Sequence, residues 1–419
     1  MKKLIFILIP LIALACSLRK GQPDSALLSD KIIIGSVDSL HSDILGEERK
    51  IWVYVPNSAN PLYSTQKYPV VYLLDGDGHF HSVTGIIQQL SEINGNTVCP
   101  EMIVVGIPNT DRTRDLTPTH TNRTLFGDSS FVKTSGGGEK FTEFIEKELI
   151  PYIDAHYPTA PYRMLIGHSF GGLFTINALI HHTGLFNSFL AIDPSLWWDD
   201  QKLLKQADTV LRENRFDHKS LFLGIANTMD PGMDTLKVRK DTSKNSIHIR
   251  SILMLKDKLT KYSKDGLKWS FKYYNKDSHG SAPLITEYDG LRFIFSNFNL
   301  TGTNRFFEPS YPADSCVSVL TRHFDQVSDE MGYKILPPEP MVNGMAYGFL
   351  QNKMFDKALA LFNLNLRNYP SSFNVFDSMG DYYLARNDTA NAISSFTKAL
   401  SLKEFPDTRK KLEKLKGVK

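Results

Sequence analysis

The chain reads as an α/β fold on a mostly parallel central sheet, followed by a small all-α tail, and two observations predict this. Apolar runs of strand length recur with helical stretches between them, the alternation needed by a parallel sheet covered on both faces. Near residue 300 that alternation stops, and from Asn343 onward the chain shows no strand signal and a weak helical repeat instead. The 419 residues, 42% hydrophobic and 22% charged, suffice for a main domain and an appendage. Forty-eight basic and 45 acidic side chains leave a formal charge of +3 without long runs of one sign. Nothing in that balance asks for a nucleic acid partner.

Residues 1–15 have the form of a signal peptide: Met1-Lys2-Lys3, an apolar run from Leu4 to Ala15, and small residues at its end. The run is too short to span a bilayer, and Pro10 interrupts it. Cys16 directly follows Ala13-Leu14-Ala15, the arrangement of a bacterial lipoprotein box except that Ala13 stands where leucine is usual. The expectation is an exported chain lipidated at Cys16, periplasmic or attached to the outer membrane, with simple secretion as the alternative. Cys99 and Cys316 are the only other thiols and are expected to be unpaired and semi-buried.

The main domain is expected over residues 30–300. Ile51, Val53 and Val55 alternate with Trp52 and Tyr54, which suits an antiparallel edge strand. The central strands are read at Val70–Leu74, Met102–Val105, Met164–Ile166, Phe189–Ile192 and Leu221–Ile225, with a last one at Trp269–Tyr274. Phe141, Phe144, Ile145, Leu149 and Ile153 form a helical stripe. Residues 301–340 read as a linker ending in the stiff Pro337-Pro338-Glu339-Pro340. In 341–419, Met345 and Met379, Ala358 and Ala392, and Phe362 and Phe396 each lie 34 residues apart, the tetratricopeptide period of paired antiparallel helices.

The chemistry centres on Gly167-His168-Ser169-Phe170-Gly171. A serine hydroxyl needs a base to take its proton, and the attacked carbonyl needs donors for its developing charge. Ser169 follows an apolar strand and precedes the apolar set Leu173, Phe174, Ile176 and Ala178, which is the strand, tight turn and helix context that G-x-S-x-G requires. This is the signature of an α/β-hydrolase fold, in which acid and histidine follow the serine. His279, in a loop after the last strand, is the candidate base. His248, between Ile247 and Ile249, and His323, beyond the core, are weaker candidates. The acid is expected in the loop after Leu221–Ile225, where Asp230 and Asp234 are equal candidates and Asp241 a remote one. The backbone N–H groups of Phe170 and Asp77 are the expected oxyanion donors.

These residues resemble the putative esterase family of α/β hydrolases, which includes enterochelin esterases, S-formylglutathione hydrolases, feruloyl and acetylxylan esterases and mycolyltransferases. The resemblance spans roughly Ile33 to Phe298. It rests on Ser42-Asp43-Ile44-Leu45 with Glu48-Arg49, Tyr68 to Gly76, Gly167 to Gly172, Asp193-Pro194-Ser195-Leu196-Trp197-Trp198 and His279-Gly280-Ser281. It implies an acyl-enzyme esterase without cofactor, acting on small-molecule or glycan esters such as siderophore lactones or acylated sugars. The tail resembles repeats that follow such domains in bacterial lipoproteins and implies a docking role toward a protein partner.

Trp197 and Trp198 are read as pocket lining or as packing under their loop, and Arg112, Arg114 and Asp115 as contacts for a polar substrate group or as an internal Arg-Asp pair that fixes the loop. Ser135-Gly136-Gly137-Gly138 lacks the lysine ending of a phosphate loop and reads as a lid or turn. No metal-ligand motif appears in the sequence. The competing expectation is a scaffold that acts through its helical tail and carries a vestigial hydrolase domain.

Overall fold

A computed structural model of the protein describes residues 31–57, 62–123, 130–262 and 266–417. The signal segment 1–15 and Cys16 lie outside the described residues.

The recurring apolar runs become one eight-stranded sheet. Strands β1 (Ser36–Ser42) and β2 (Glu47–Tyr54) form an antiparallel hairpin. Strands β3 (Tyr68–Leu74), β4 (Ile103–Ile107), β5 (Thr159–His168), β6 (Ser188–Ile192), β7 (Lys219–Ala226) and β8 (Leu267–Tyr274) are mutually parallel, in the order β1-β2-β4-β3-β5-β6-β7-β8. Every residue of β3, β4 and β6 is buried, as expected of strands covered on both faces. The strand expected at the edge, β2, is an inner one, antiparallel to β4 on its other side. The true edge is β1, whose Ser-Val-Asp-Ser-Leu-His-Ser carries too little apolar signal to be read as a strand.

The connecting helices are α1 (Gly76–Ser91), α2 (Arg112–Leu116), α3 (Gly138–Phe144), α4 (Ile150–His156), α5 (Phe170–His181), α6 (Trp198–Glu213), α7 (Ile247–Tyr262) and α8 (Ala282–Ile294). The predicted stripe Phe141, Phe144, Ile145, Leu149 and Ile153 is at most 1% exposed. Each such side chain contributes roughly 1.5–3 kcal/mol of hydrophobic stabilisation. Between α3 and α4 the chain makes a π turn, Ile145–Leu149, just ahead of Pro151, whose missing N–H interrupts the regular ladder. The turn presents Glu148 to the β1–β2 turn, where its carboxylate accepts hydrogen bonds from the Ser42 hydroxyl and the Asp43 and Ile44 amides.

The segment 301–340 is not a linker. It contains α9 (Ala313–Met331), a 19-residue amphipathic helix. Cys316 and Leu320 of α9 join the core of the tail. Its far end meets the sheet domain through Glu330, which receives Asn297 and Lys268, and through the Asp329 carbonyl 2.6 Å from His218 Nδ1. Beyond it lie α10 (Glu339–Gln351), α11 (Phe355–Asn368), α12 (Phe373–Ala385), α13 (Thr389–Leu402) and α14 (Pro406–Lys416). Ala358, Ala392, Phe362 and Phe396 are all at most 1% exposed. Pro340 opens α10 rather than stiffening a connector. Glu339 beside it is buried and accepts hydrogen bonds from Ser372, Asn374 and, across to the sheet domain, the Ser64 amide at 2.9 Å.

Candidate active site

Ser169 stands between β5 and α5 with φ 61° and ψ −111°. An l-residue is held there only when its surroundings fix the turn. They do so through the Ser169 amide to the Ile192 carbonyl (3.0 Å), the Ser195 amide to the Ser169 carbonyl (3.0 Å) and the Leu173 amide to the same carbonyl (2.9 Å). The flanking glycines permit the close approach. A Cβ on Gly167 would lie 2.3 Å from the Gly171 carbonyl oxygen, and one on Gly172 would lie 2.9 Å from that of Ile192. The Ser169 hydroxyl lies 3.3 Å from the Ser195 hydroxyl.

His279 sits in the loop between β8 and α8. That loop is closed by Ser281 Oγ donating to the Asp277 carboxylate and by the Asn227 amide donating to the Asp277 carbonyl. The His279 Nδ1 is 2.6 Å from Asp193 Oδ2. Asp193 ends β6 in a left-handed conformation, φ 41°, and is fully buried. Its Oδ1 accepts the Ala226 amide at 2.9 Å, and its Oδ2 also meets His248 Nε2 at 2.8 Å. Burial opposes ionisation of Asp193, but the hydrogen bonds from His248 and His279 outweigh it and hold the carboxyl well below the usual carboxylate range. Since an ionised carboxylate only accepts, both imidazoles donate to it. The His279 proton is therefore on Nδ1, and Nε2 presents a lone pair.

This corrects the expected acid. Asp230 is exposed, with its carboxylate 3.5 Å from the Asn245 amide nitrogen, and Asp234 is exposed and accepts the Leu236 and Lys237 amides. Asp241 is engaged with Ser243. None of these contacts involves His279. The overlooked sign was Asp193 itself, a carboxylate placed directly behind the wholly apolar Phe189–Ile192. A charge with no water around it needs partners.

His168, ahead of the serine, has its ring 4.4 Å from that of His279 and 5.9 Å from that of His79. Burial, reinforced by the neighbouring His279 and His79, pushes its pKa down to about 4. Its Nε2 is buried without a hydrogen-bond partner among the described residues. His79 is paired at 3.2 Å with the fully buried Glu287, whose hydrogen bond raises the imidazole's pKa against the effect of burial.

The turn after β3 flanks the elbow. Asp75, φ 52°, caps α1, and its carboxylate would lie 3.2 Å from a Cβ on Gly171. Gly76 and Asp77 open α1, and Phe170 opens α5, so their N–H groups belong to the first turn, where amides have no intrahelical acceptor. Arg112 does not project as a free cation. Its Nε and Nη2 bind both oxygens of Asp75 at 2.6 and 2.9 Å, and Nη2 reaches the His168 carbonyl at 3.2 Å. The expected internal Arg-Asp pair forms between Arg114 and Asp115, which Arg49 joins. Trp197 and Trp198 are 8% and 2% exposed, so packing under the loop is their use. The Trp198 indole donates to the Thr119 carbonyl, and its ring meets Phe170 edge-on at 5.1 Å. The glycine run is a fixed turn: Gly137 and Gly138 donate to the Arg114 and Thr117 carbonyls. Asp193, His248 and His279 also offer three ligand atoms within 4.8 Å of one another, and their mutual hydrogen bonds account for those atoms.

A serine elbow, a histidine after the last strand and a buried carboxylate at the same sheet edge stand on an α/β-hydrolase fold. The family described as Putative esterase matches residues 42–246, and the chain belongs to that family. It is 31% identical to the siderophore enterobactin esterase of Emericella nidulans over 33% of this chain and 49% of that one. It is 25% identical to the ferri-bacillibactin esterase BesA of Bacillus subtilis over 59% of this chain and 85% of that one. Its match thus spans about half of the first of these relatives and most of the second. Among solved structures, an IroE-like serine hydrolase from Shewanella oneidensis superposes with a TM-score of 0.67 at 32% identity, over 80% of this chain and 99% of that one. An uncharacterised protein from Capnocytophaga ochracea shares the fold, with a TM-score of 0.56 at 16% identity over 91% of this chain and 99% of that one.

Proposed function

We propose that the protein hydrolyses carboxylic esters of siderophore type through an acyl-enzyme on Ser169. The observation that carries this reading is the 2.6 Å contact of His279 Nδ1 with buried Asp193, which fixes the tautomer that a general base needs beside a serine elbow. The Ser169 hydroxyl turns from Ser195 toward His279 Nε2, gives up its proton and attacks the ester carbonyl. The N–H groups of Phe170 and Asp77, at two helix N-termini, receive the oxyanion. His279 then protonates the departing alkoxide, and water repeats the cycle on the acyl-enzyme. Asp193 stays ionised throughout and steadies the imidazolium.

The substrate class follows that of the siderophore esterases of Emericella nidulans and Bacillus subtilis to which the chain is similar. Export and lipidation at Cys16, read from the signal-like first 15 residues, would place such an esterase where imported siderophore esters or acylated glycans arrive. The helical tail, of tetratricopeptide spacing, serves as a docking module for a protein partner. Ser169→Ala should lower turnover of a small activated ester, and of a trilactone siderophore, by at least about 10⁴-fold. Retention of most activity by that variant would remove Ser169 from the mechanism.

A further inference from the structure

A triad carboxylate ordinarily holds one imidazole, whereas Asp193 holds two on the same oxygen. His248, the second residue of α7, reaches Oδ2 at 2.8 Å alongside His279 at 2.6 Å, and the two rings stand nearly perpendicular with centroids 5.1 Å apart. The His248 side chain is 15% exposed and its neighbour Ile249 is fully buried, so α7 delivers the ring from a fixed base. With the Ala226 amide on Oδ1, Asp193 accepts from three donors on its two oxygens.

We propose that His248 is a positioning residue for the reaction. By donating to Oδ2 beside His279, it shares the carboxylate's charge between two imidazoles and pins the plane of Asp193. The inference rests on the Ser169–His279–Asp193 reading above. The sign follows from electrostatics alone. A donor removed from Oδ2 leaves more negative charge facing His279, which favours the imidazolium and raises its pKa. Among the described residues, the charged and titratable groups facing the pair are Asp193 from β6, His279 from the β8–α8 loop and His168 from β5, whose ring is 4.4 Å from His279. Arg250, on α7 itself, is turned away onto Ser243 and Ser246.

The test uses the full chain, with kcat/KM for a small activated ester followed against pH and the His279 Nδ1 proton followed by its downfield resonance. Expected for His248→Ala is an upward shift of about one pH unit in the His279 titration and in the acidic limb of the profile, with kcat on the plateau lowered about 10-fold. His248→Gln, whose amide nitrogen reaches about as far as imidazole Nε2, should restore most of both. An unmoved titration and limb in a folded His248→Ala protein would overturn the role of His248 while leaving the triad standing. Loss of kcat in both variants with an unmoved titration would do the same, because it would mark His248 as packing only. If the wild-type chain neither turns over the ester nor reacts with a fluorophosphonate, the triad reading fails, and this inference with it.

Discussion

At the carboxyl-terminal edge of the sheet, Asp75, Ser169 and Asp193 end β3, β5 and β6 with φ of 52°, 61° and 41°. In the tail, the non-glycine residues with positive φ are Lys353 and Asn387, at 58° and 57°, just past α10 and α12 and 34 residues apart. The tail uses the left-handed conformation to stop helices, a local device that repeats with the period of the sequence. The sheet edge uses it to turn the chain sharply at three strand ends that carry polar side chains, at a cost of roughly 1–3 kcal/mol each that the buried sheet below must offset. Conformational strain therefore belongs to architecture in one region and to chemistry in the other.

The largest expected effect separates the two candidate acid loops. Asp193→Asn should lower kcat by about 10³–10⁴-fold, whereas Asp230→Asn and Asp234→Asn should each change it by less than about 2-fold. Steady-state kinetics on the three variants decides between the loops, and a large loss at either exposed aspartate would break the distinction. Next in size is Trp198→Ala, which should cost about 3–5 kcal/mol by denaturant unfolding because the indole is 2% exposed and hydrogen-bonded. A loss of substrate affinity with unchanged stability would return Trp198 to the pocket.

A pH effect follows from His168. Its pKa in the folded protein is about 4, below the 6.5 of a free imidazole, so the unfolded chain binds more protons between those values. Stability is then full above about pH 6.5 and falls as pH drops toward 4, by about 3 kcal/mol from this group. His168→Asn should flatten the dependence of unfolding free energy on pH in that window. An unchanged slope would mean that His168 is protonated in the folded state. The smallest effect concerns the tail. Glu339→Ala leaves the Ser64 amide, Ser372 and Asn374 without their acceptor and should cost about 2 kcal/mol, with ester turnover by the folded protein unchanged. Lost turnover there would show that tail docking shapes the site.

The sequence made the sheet legible because parallel strands buried on both faces are continuous apolar runs, and Val70–Leu74 or Phe189–Ile192 has no other use. It made Ser169 and His279 legible because both follow strands at one edge. The half-polar β1 and the amphipathic α9 were hidden, the first because Val37 and Leu40 are its only apolar residues and the second by lying among Pro- and Gly-marked turns. Asp193 was hidden because rank order along the chain admits any carboxylate between residues 169 and 279. Only pairing in space separates a buried one from the exposed Asp230. His248 looked like an interruption of an apolar helix, and nothing local to α7 announces that its ring meets Asp193, 55 residues upstream.

The most direct test of the central claim is covalent labelling of the intact protein by a fluorophosphonate, followed by mass spectrometry of its peptides. A single adduct on Ser169, forming rapidly in the wild type and at least about 100-fold more slowly in Asp193→Asn, is the result predicted by a serine activated through His279 and Asp193. Equal labelling rates in the two proteins, or an adduct on any residue other than Ser169, would contradict it.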